Sequence, residues 1–261
     1  MLKKFEEKKP IFTKGRILKN EMLESLRDFP RHVTEILLES QTEGVISGFD
    51  LKVDERHITI KPGIVKYQSE VMVLGTALKI PYTADGSEQV LKLQFQDRYQ
   101  SADFEGRRVH MVLEKGPIRG NEMELARFRL SQGAYLRSDY QDFEDFKTGH
   151  NTLNIVNQPY SSMSGSTLNP AILSYFASAL LEHQTANPHD LALIYQVLNQ
   201  PVSISRALLV NYIKTRLKEA DAPMESNADL HQGLVQILKK VISDVRDLKH
   251  SVSGHRRLIV D

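Results

Sequence analysis

Between residues 88 and 130 the chain alternates. Leu91, Leu93 and Phe95 are separated by Lys92, Gln94 and Gln96, and Val109, Met111 and Leu113 recur at the same interval. A period of two is the mark of a half-buried strand. Ile58 and Ile60 share one face, and Pro62-Gly63 supplies the turn after them. Residues 64–74 read as two short strands around Gln68-Ser69. Over 122–130 the alternation slips: Met123 and Leu125 are in one phase, Phe128 and Leu130 in the other. A bulge explains such a slip. The pattern predicts about eight strands over 42–137, in an antiparallel sandwich or barrel-like domain.

Elsewhere the spacing is helical. Leu23, Leu26 and Phe29, then Val33, Ile36 and Leu37, predict helix over 20–40, with Pro30 either kinking it or starting a second one. Asn169-Pro170 and Asn187-Pro188 match an N-cap followed by proline at the first helical position. Ser203 or Ser205 is placed to cap a third helix, and Ser226-Asn227 opens the longest one. There Leu230, Leu234, Leu238, Val241, Val245 and Leu248 step by fours and threes, a heptad-like seam. It packs either within the chain or against copies of itself. Gly233 in that helix costs about 1 kcal/mol relative to alanine, which points to close packing there. The last residues include Leu258, Ile259 and Val260, suited to pairing with a neighbouring sheet edge or to folding onto their own domain.

Twelve of the fourteen glycines precede residue 166, so turns fill the first part and long helices the last. The predicted class is α+β: an N-terminal helical arm over 1–41, a β-sandwich-like domain over 42–145, a linker over 146–167, a helical bundle over 168–250 and a tail over 251–261. Residues 1–20 carry seven Lys or Arg against two Glu, with Phe5, Ile11, Phe12, Ile17 and Leu18 among them. That is a frayed solvated end or an arm that docks on a partner. Residues 138–146 mix Asp139, Asp142, Glu144 and Asp145 with Tyr140, Phe143 and Phe146. These aromatics are expected to pin the connector to the sheet.

Composition narrows the function mainly by exclusion. The 261 residues are 41% hydrophobic and 26% charged, with a formal net charge of +1. Near-neutrality disfavours general nucleic-acid binding. No stretch approaches the roughly 18 apolar residues of a membrane span, and the lysines of the first fifteen residues lead into no apolar core, so no secretory signal is expected. With no cysteine there are no disulfides, thiolate metal sites or cysteine nucleophile. Phosphate-loop, dinucleotide, nucleophile-elbow and zinc-helix motifs are all absent. His183 and His189 straddle a helix break, and His110 sits with Arg107, Arg108 and Glu114 on what reads as a solvated sheet face. Glu122 and Glu124 share a strand face; as an acid/base pair they would suggest a hydrolase, but an exposed face is the ordinary reading. No catalytic, cofactor or metal site is expected, and the chain is read as a non-enzyme.

One segment has a wider resemblance. Phe12 and Gly15 precede a helix from about Glu21; Gly44 and Gly48 bracket a G-x-x-x-G strand; another strand ends at Pro62-Gly63; a short strand pair follows. Over residues 10–80 this resembles N-terminal regions of baseplate and tail-fibre-attachment proteins of bacteriophages and phage-tail-like bacteriocins. In layout it is similar to the type VI secretion baseplate component that links tail to membrane complex. The resemblance implies a β-rich shell followed by a helical neck, a trimeric state, and assembly in the cytoplasm into a tail or tail-like particle without membrane insertion. It also implies baseplate or tail proteins as partners and no catalytic residues. The residues expected to touch partners are Phe5, Phe12, the seam from Leu230 to Leu248, and Leu258 to Val260. A receptor- or glycan-binding module is the alternative, with Tyr67, Tyr82, Tyr99, Tyr135 and Tyr140 as its aromatic resource.

Overall fold

The computed structural model describes residue 6 and residues 8–200, 203–218 and 224–253, the last nine by backbone path alone. Helix α1 spans Asn20–Leu37 and runs through Pro30 without a break. Proline removes one helical N–H. The Thr34 hydroxyl donates to the Pro30 carbonyl at 2.8 Å.

Nine strands follow, in three antiparallel sheets. The first joins β1 (Gly44–Gly48), β4 (Gly63–Tyr67) and β5 (Glu70–Leu74) in the order β1-β4-β5. The second joins β2 (Leu51–Val53), β3 (His57–Ile60) and β6 (Leu78–Pro81) in that order. The third places β7 (Glu88–Gln100) between β8 (Glu105–Glu114) and β9 (Glu122–Arg129). The phase slip is a bulge: Ala126 faces Leu91 and Glu124 faces Lys92, so Leu125 is the extra residue. Gln68 and Ser69 both take positive φ, giving the β4–β5 hairpin a two-residue turn whose twist matches its strands. Tyr67 stacks on Phe95 at 3.9 Å, and Tyr82 meets Phe128 edge-on, so aromatic pairs tie the first two sheets to the third.

The stretch expected as a linker is largely buried. Val45 donates to the Pro159 carbonyl and accepts from Ser161 N–H, both at 2.8 Å, which lays residues 159–161 along the outer edge of β1. Only glycine fits at Gly44, where a Cβ would lie 2.7 Å from the Pro159 carbonyl oxygen. Residue 154 pairs likewise with Arg127 of β9. The aromatics pin the connector to helices more than to the sheet. Phe143 packs on Phe176, Tyr175 and His231, and Phe146 on Tyr175.

The bundle comprises α2 (Pro170–Glu182), α3 (Pro188–Asn199), α4 (Arg206–Leu217) and α5 (Asn227–Ser253). Asn169 and Asn187 cap α2 and α3 as their sequence pattern predicts. Ser205 occupies the N-cap of α4 without bonding it. The cap comes from the connector, where the Ser164 hydroxyl accepts from Ala207 N–H at 3.1 Å. Ser226 and Asp229 form a reciprocal capping box for α5. Asp190 of α3 is fully buried and accepts from Thr185, Tyr212 and Arg216, which rivets α3 to α4. One continuous core runs from the sheets through the connector into the bundle.

Candidate protein–protein interface

Of the residues singled out for partner contact, Leu230, Leu234, Leu238 and Val241 are buried within the chain. Helix α5 turns this side toward α4 and α2, and the described part of the seam is intramolecular. For these four residues the intrachain alternative holds: α4 and α2 of the same chain already cover the stripe, which is not free to serve as a subunit contact there. Phe5, Leu258, Ile259 and Val260, and the side chains of Val245 and Leu248, lie outside the described residues. Phe12 is exposed, as are Ile11, Ile17 and Leu18 beside it.

The uncovered stripe is on α1. Leu23, Leu26, Val33, Ile36 and Leu37 recur three and four residues apart, with Phe29 among them. None of the eighteen residues of α1 is buried. Ile36 and Leu37 are 71% and 72% exposed. The same spacing that predicts the helix carries this signal. Charged residues rim the stripe: Arg27 pairs with Asp28, and Arg31 with Glu35.

Among the described residues, the hydrogen bonds that tie α1 to the strands lie at one end of it. The Lys66 ammonium of β4, almost fully buried, donates to the carbonyls of Leu38, Glu39 and Gln41 at 2.6, 3.2 and 2.6 Å. Leu38 is the C-cap of α1 and the other two carbonyls follow it, so the cation sits beside the partial negative charge of the helix end. Along its length α1 stands off the first sheet, leaving a cleft of about 1040 Å³ between itself, β5 and the β7–β8 hairpin. Glu70 on the cleft wall accepts from Arg107 at 2.7 Å and pairs with Arg98. Burial pushes its carboxyl up, and the two guanidinium groups outweigh that, holding it below the usual range.

The candidate chemical groups are engaged elsewhere. Glu122 and Glu124 are buried, not on a solvated face. Glu122 accepts from Lys92 at 2.7 Å and from Arg119 N–H at 2.9 Å, and Glu124 takes both arms of Arg127. Lys92 also lies 2.6 Å from Glu114; burial disfavours its charge, but the two carboxylates prevail and raise its pKa. Carboxylates saturated by cations are poorly placed to move protons. Among the described residues no group of three His, Asp or Glu is arranged to hold a metal ion, and no helix is long and apolar enough to cross a membrane.

Compared with known proteins, the chain matches no family model and no curated protein. Solved structures similar to it include two type VI secretion proteins. One is a chain of a type VI secretion TssK–TssF–TssG baseplate subcomplex seen by cryo-electron microscopy: 11% identity, 90% of this chain, 100% of that chain, TM-score 0.42. The other is the crystal structure of TssK: 10% identity, 92% of this chain, 72% of that chain, TM-score 0.39.

Proposed function

We propose that the chain is a structural, non-enzymatic component of a contractile injection apparatus, placed in its baseplate, and that copies of it associate through α1 and the arm before it. The observation that carries this reading is the eighteen-residue amphipathic helix without a buried side chain. A continuous apolar stripe rimmed by charge marks a protein–protein contact. Its threes-and-fours spacing suits side-by-side association of helices. With the described α5 seam used internally, the homo-oligomeric contact, a trimer in the favoured reading, moves to α1. The sequence pattern over residues 10–80 that resembles baseplate and fibre-attachment proteins includes this helix. The neutralised Glu122 and Glu124 support the non-catalytic part of the reading.

The test is to delete the coding region and image the contractile particles, then restore it as wild type or as the double variant Leu26→Glu, Val33→Glu. Wild type should restore sheath-bearing particles and the variant should not, while the purified variant stays folded and loses its oligomeric mass. Normal particles in the deletion strain would overturn the proposal.

A further inference from the structure

Two exposed apolar surfaces adjoin in the sequence, and neither covers the other. On the arm, Ile11, Phe12, Ile17 and Leu18 are each more than half exposed. On α1, Leu26, Phe29, Val33, Ile36 and Leu37 are all exposed. The two hollows between the arm and its own helix are lined on the helix side by Glu21, Met22 and Ser25, all in the first two turns. Little main-chain bonding holds the arm in that place. The Arg16 N–H donates to the Thr13 carbonyl at 3.2 Å, closing a turn with Gly15 at positive φ. No other main-chain bond joins residues 8–18 to the described residues.

The two surfaces have opposite sign. Residues 1–19 carry seven Lys or Arg against two Glu. Helix α1 sets Glu21, Glu24, Asp28 and Glu35 against Arg27 and Arg31. Arg27 pairs with Asp28 and Arg31 with Glu35, so the surplus is Glu21 and Glu24. The ground behind α1 leaves that balance unchanged, because Glu39, Glu70 and Glu105 offset Lys66, Arg98 and Arg107. Two α1 helices laid side by side bring like charges together, whereas an arm laid on α1 brings opposite charges together.

We infer that copies of this chain exchange arms: the basic arm of one copy leaves its own helix start and lies along the α1 stripe of the next copy. The apolar residues of the arm cover the stripe, and its lysines and Arg16 meet Glu21 and Glu24 of the neighbour. Every copy then gives one arm and receives one, so a closed ring leaves no stripe open. This rests on the reading that copies associate through α1 and the arm, and it names which surface of the second copy meets which.

The chain has no cysteine, so every disulfide formed in a variant is an introduced one. The experiment mixes a full chain carrying Phe12→Cys with a mass-tagged full chain carrying Leu26→Cys, Val33→Cys or Leu37→Cys, oxidises mildly and weighs the products. A tagged chain with Tyr195→Cys, exposed on α3, is the control for chance collision. Phe12→Cys should link to at least one of the α1 positions and not to the control. Adding Glu21→Lys and Glu24→Lys to the tagged chain should cut that link on the order of tenfold, while near-ultraviolet circular dichroism stays unchanged. Links no more frequent than with Tyr195→Cys, or links indifferent to the two lysines, would overturn the inference. So would Val33→Cys chains that link chiefly to one another: α1 then meets α1, and the exchange fails while the association stands. An unmodified chain that stays monomeric at every concentration would remove both.

Discussion

Helix α1 sets Leu23, Leu26, Val33 and Leu37 at helical spacing, and helix α5 does the same with Leu230, Leu234, Leu238 and Val241. In α5 the described stripe is buried against helices of its own chain, whereas in α1 it faces outward along its whole length. The difference comes from neighbours, not from composition. Of the helices that precede α5, α2 and α4 lie beside it, and Gly233 removes the side chain that would hold α4 away: a Cβ there would lie 2.6 Å from a methyl of Ile213. Helix α1 is followed directly by strands, and its firmest described attachment is the Lys66 ammonium at its end. An amphipathic stripe states that something must cover it; it does not state whose surface that is.

The sharpest way to break this comparison is to truncate one leucine on each helix. Leu234→Ala should cost about 2–5 kcal/mol in denaturant unfolding, the usual range for a buried leucine, and Leu26→Ala less than about 0.5 kcal/mol in the dilute monomer. Equal losses would mean that α1 is packed after all.

On lowering the pH, the first response should come from the α5 side. His231 is fully buried and its Nε2 bonds the Phe143 carbonyl at 3.0 Å. Burial lowers its pKa to about 4, from an ordinary histidine's 6.5. The unfolded chain therefore binds a proton that the folded chain refuses. The stabilisation is whole above pH 6.5 and is lost as pH falls toward 4, a total of about 3 kcal/mol at about 1.4 kcal/mol per unit. Unfolding free energies measured at several pH values should show this slope, and His231→Gln should flatten it.

Removing the anchor probes the other side. Lys66→Met should cost about 1–3 kcal/mol locally, because it takes a charged donor away from three carbonyls. Amide exchange over residues 20–38 should accelerate while α5 keeps its protection. Smallest is Gly233→Ala. Alanine gains about 1 kcal/mol of helix propensity, but crowding against Ile213 costs about 1–3 kcal/mol, so a net loss of about 1 kcal/mol is expected. A gain in melting temperature would show that α4 and α5 can move apart without penalty.

Much of this was legible along the chain. The Asn-Pro caps, the Gln68-Ser69 hairpin and the bulge at Leu125 are local features, and each occurs where the pattern placed it. What stayed hidden is non-local. Residues 146–167 read as a linker because Ser, Asn, Pro and Gly are loop formers, yet they complete two sheet edges and cap α4. Glu122 and Glu124 read as solvated because charge usually is; their counter-ions include Lys92, thirty residues from Glu122. The α5 seam stayed ambiguous for the same reason: an apolar residue on an amphipathic helix looks the same in sequence whether its partner lies in the same chain or another.

The sequence by itself therefore determined the α+β class, the strand and helix periods and most helix starts, since these depend on residues within a few positions of one another. Only the tertiary structure decided which stripe is buried, which sheet edge is left open and which carboxylates are matched by cations. Those outcomes follow from close approaches between segments far apart in the chain, such as 159–161 on β1, α4 on Gly233 and Lys66 on α1.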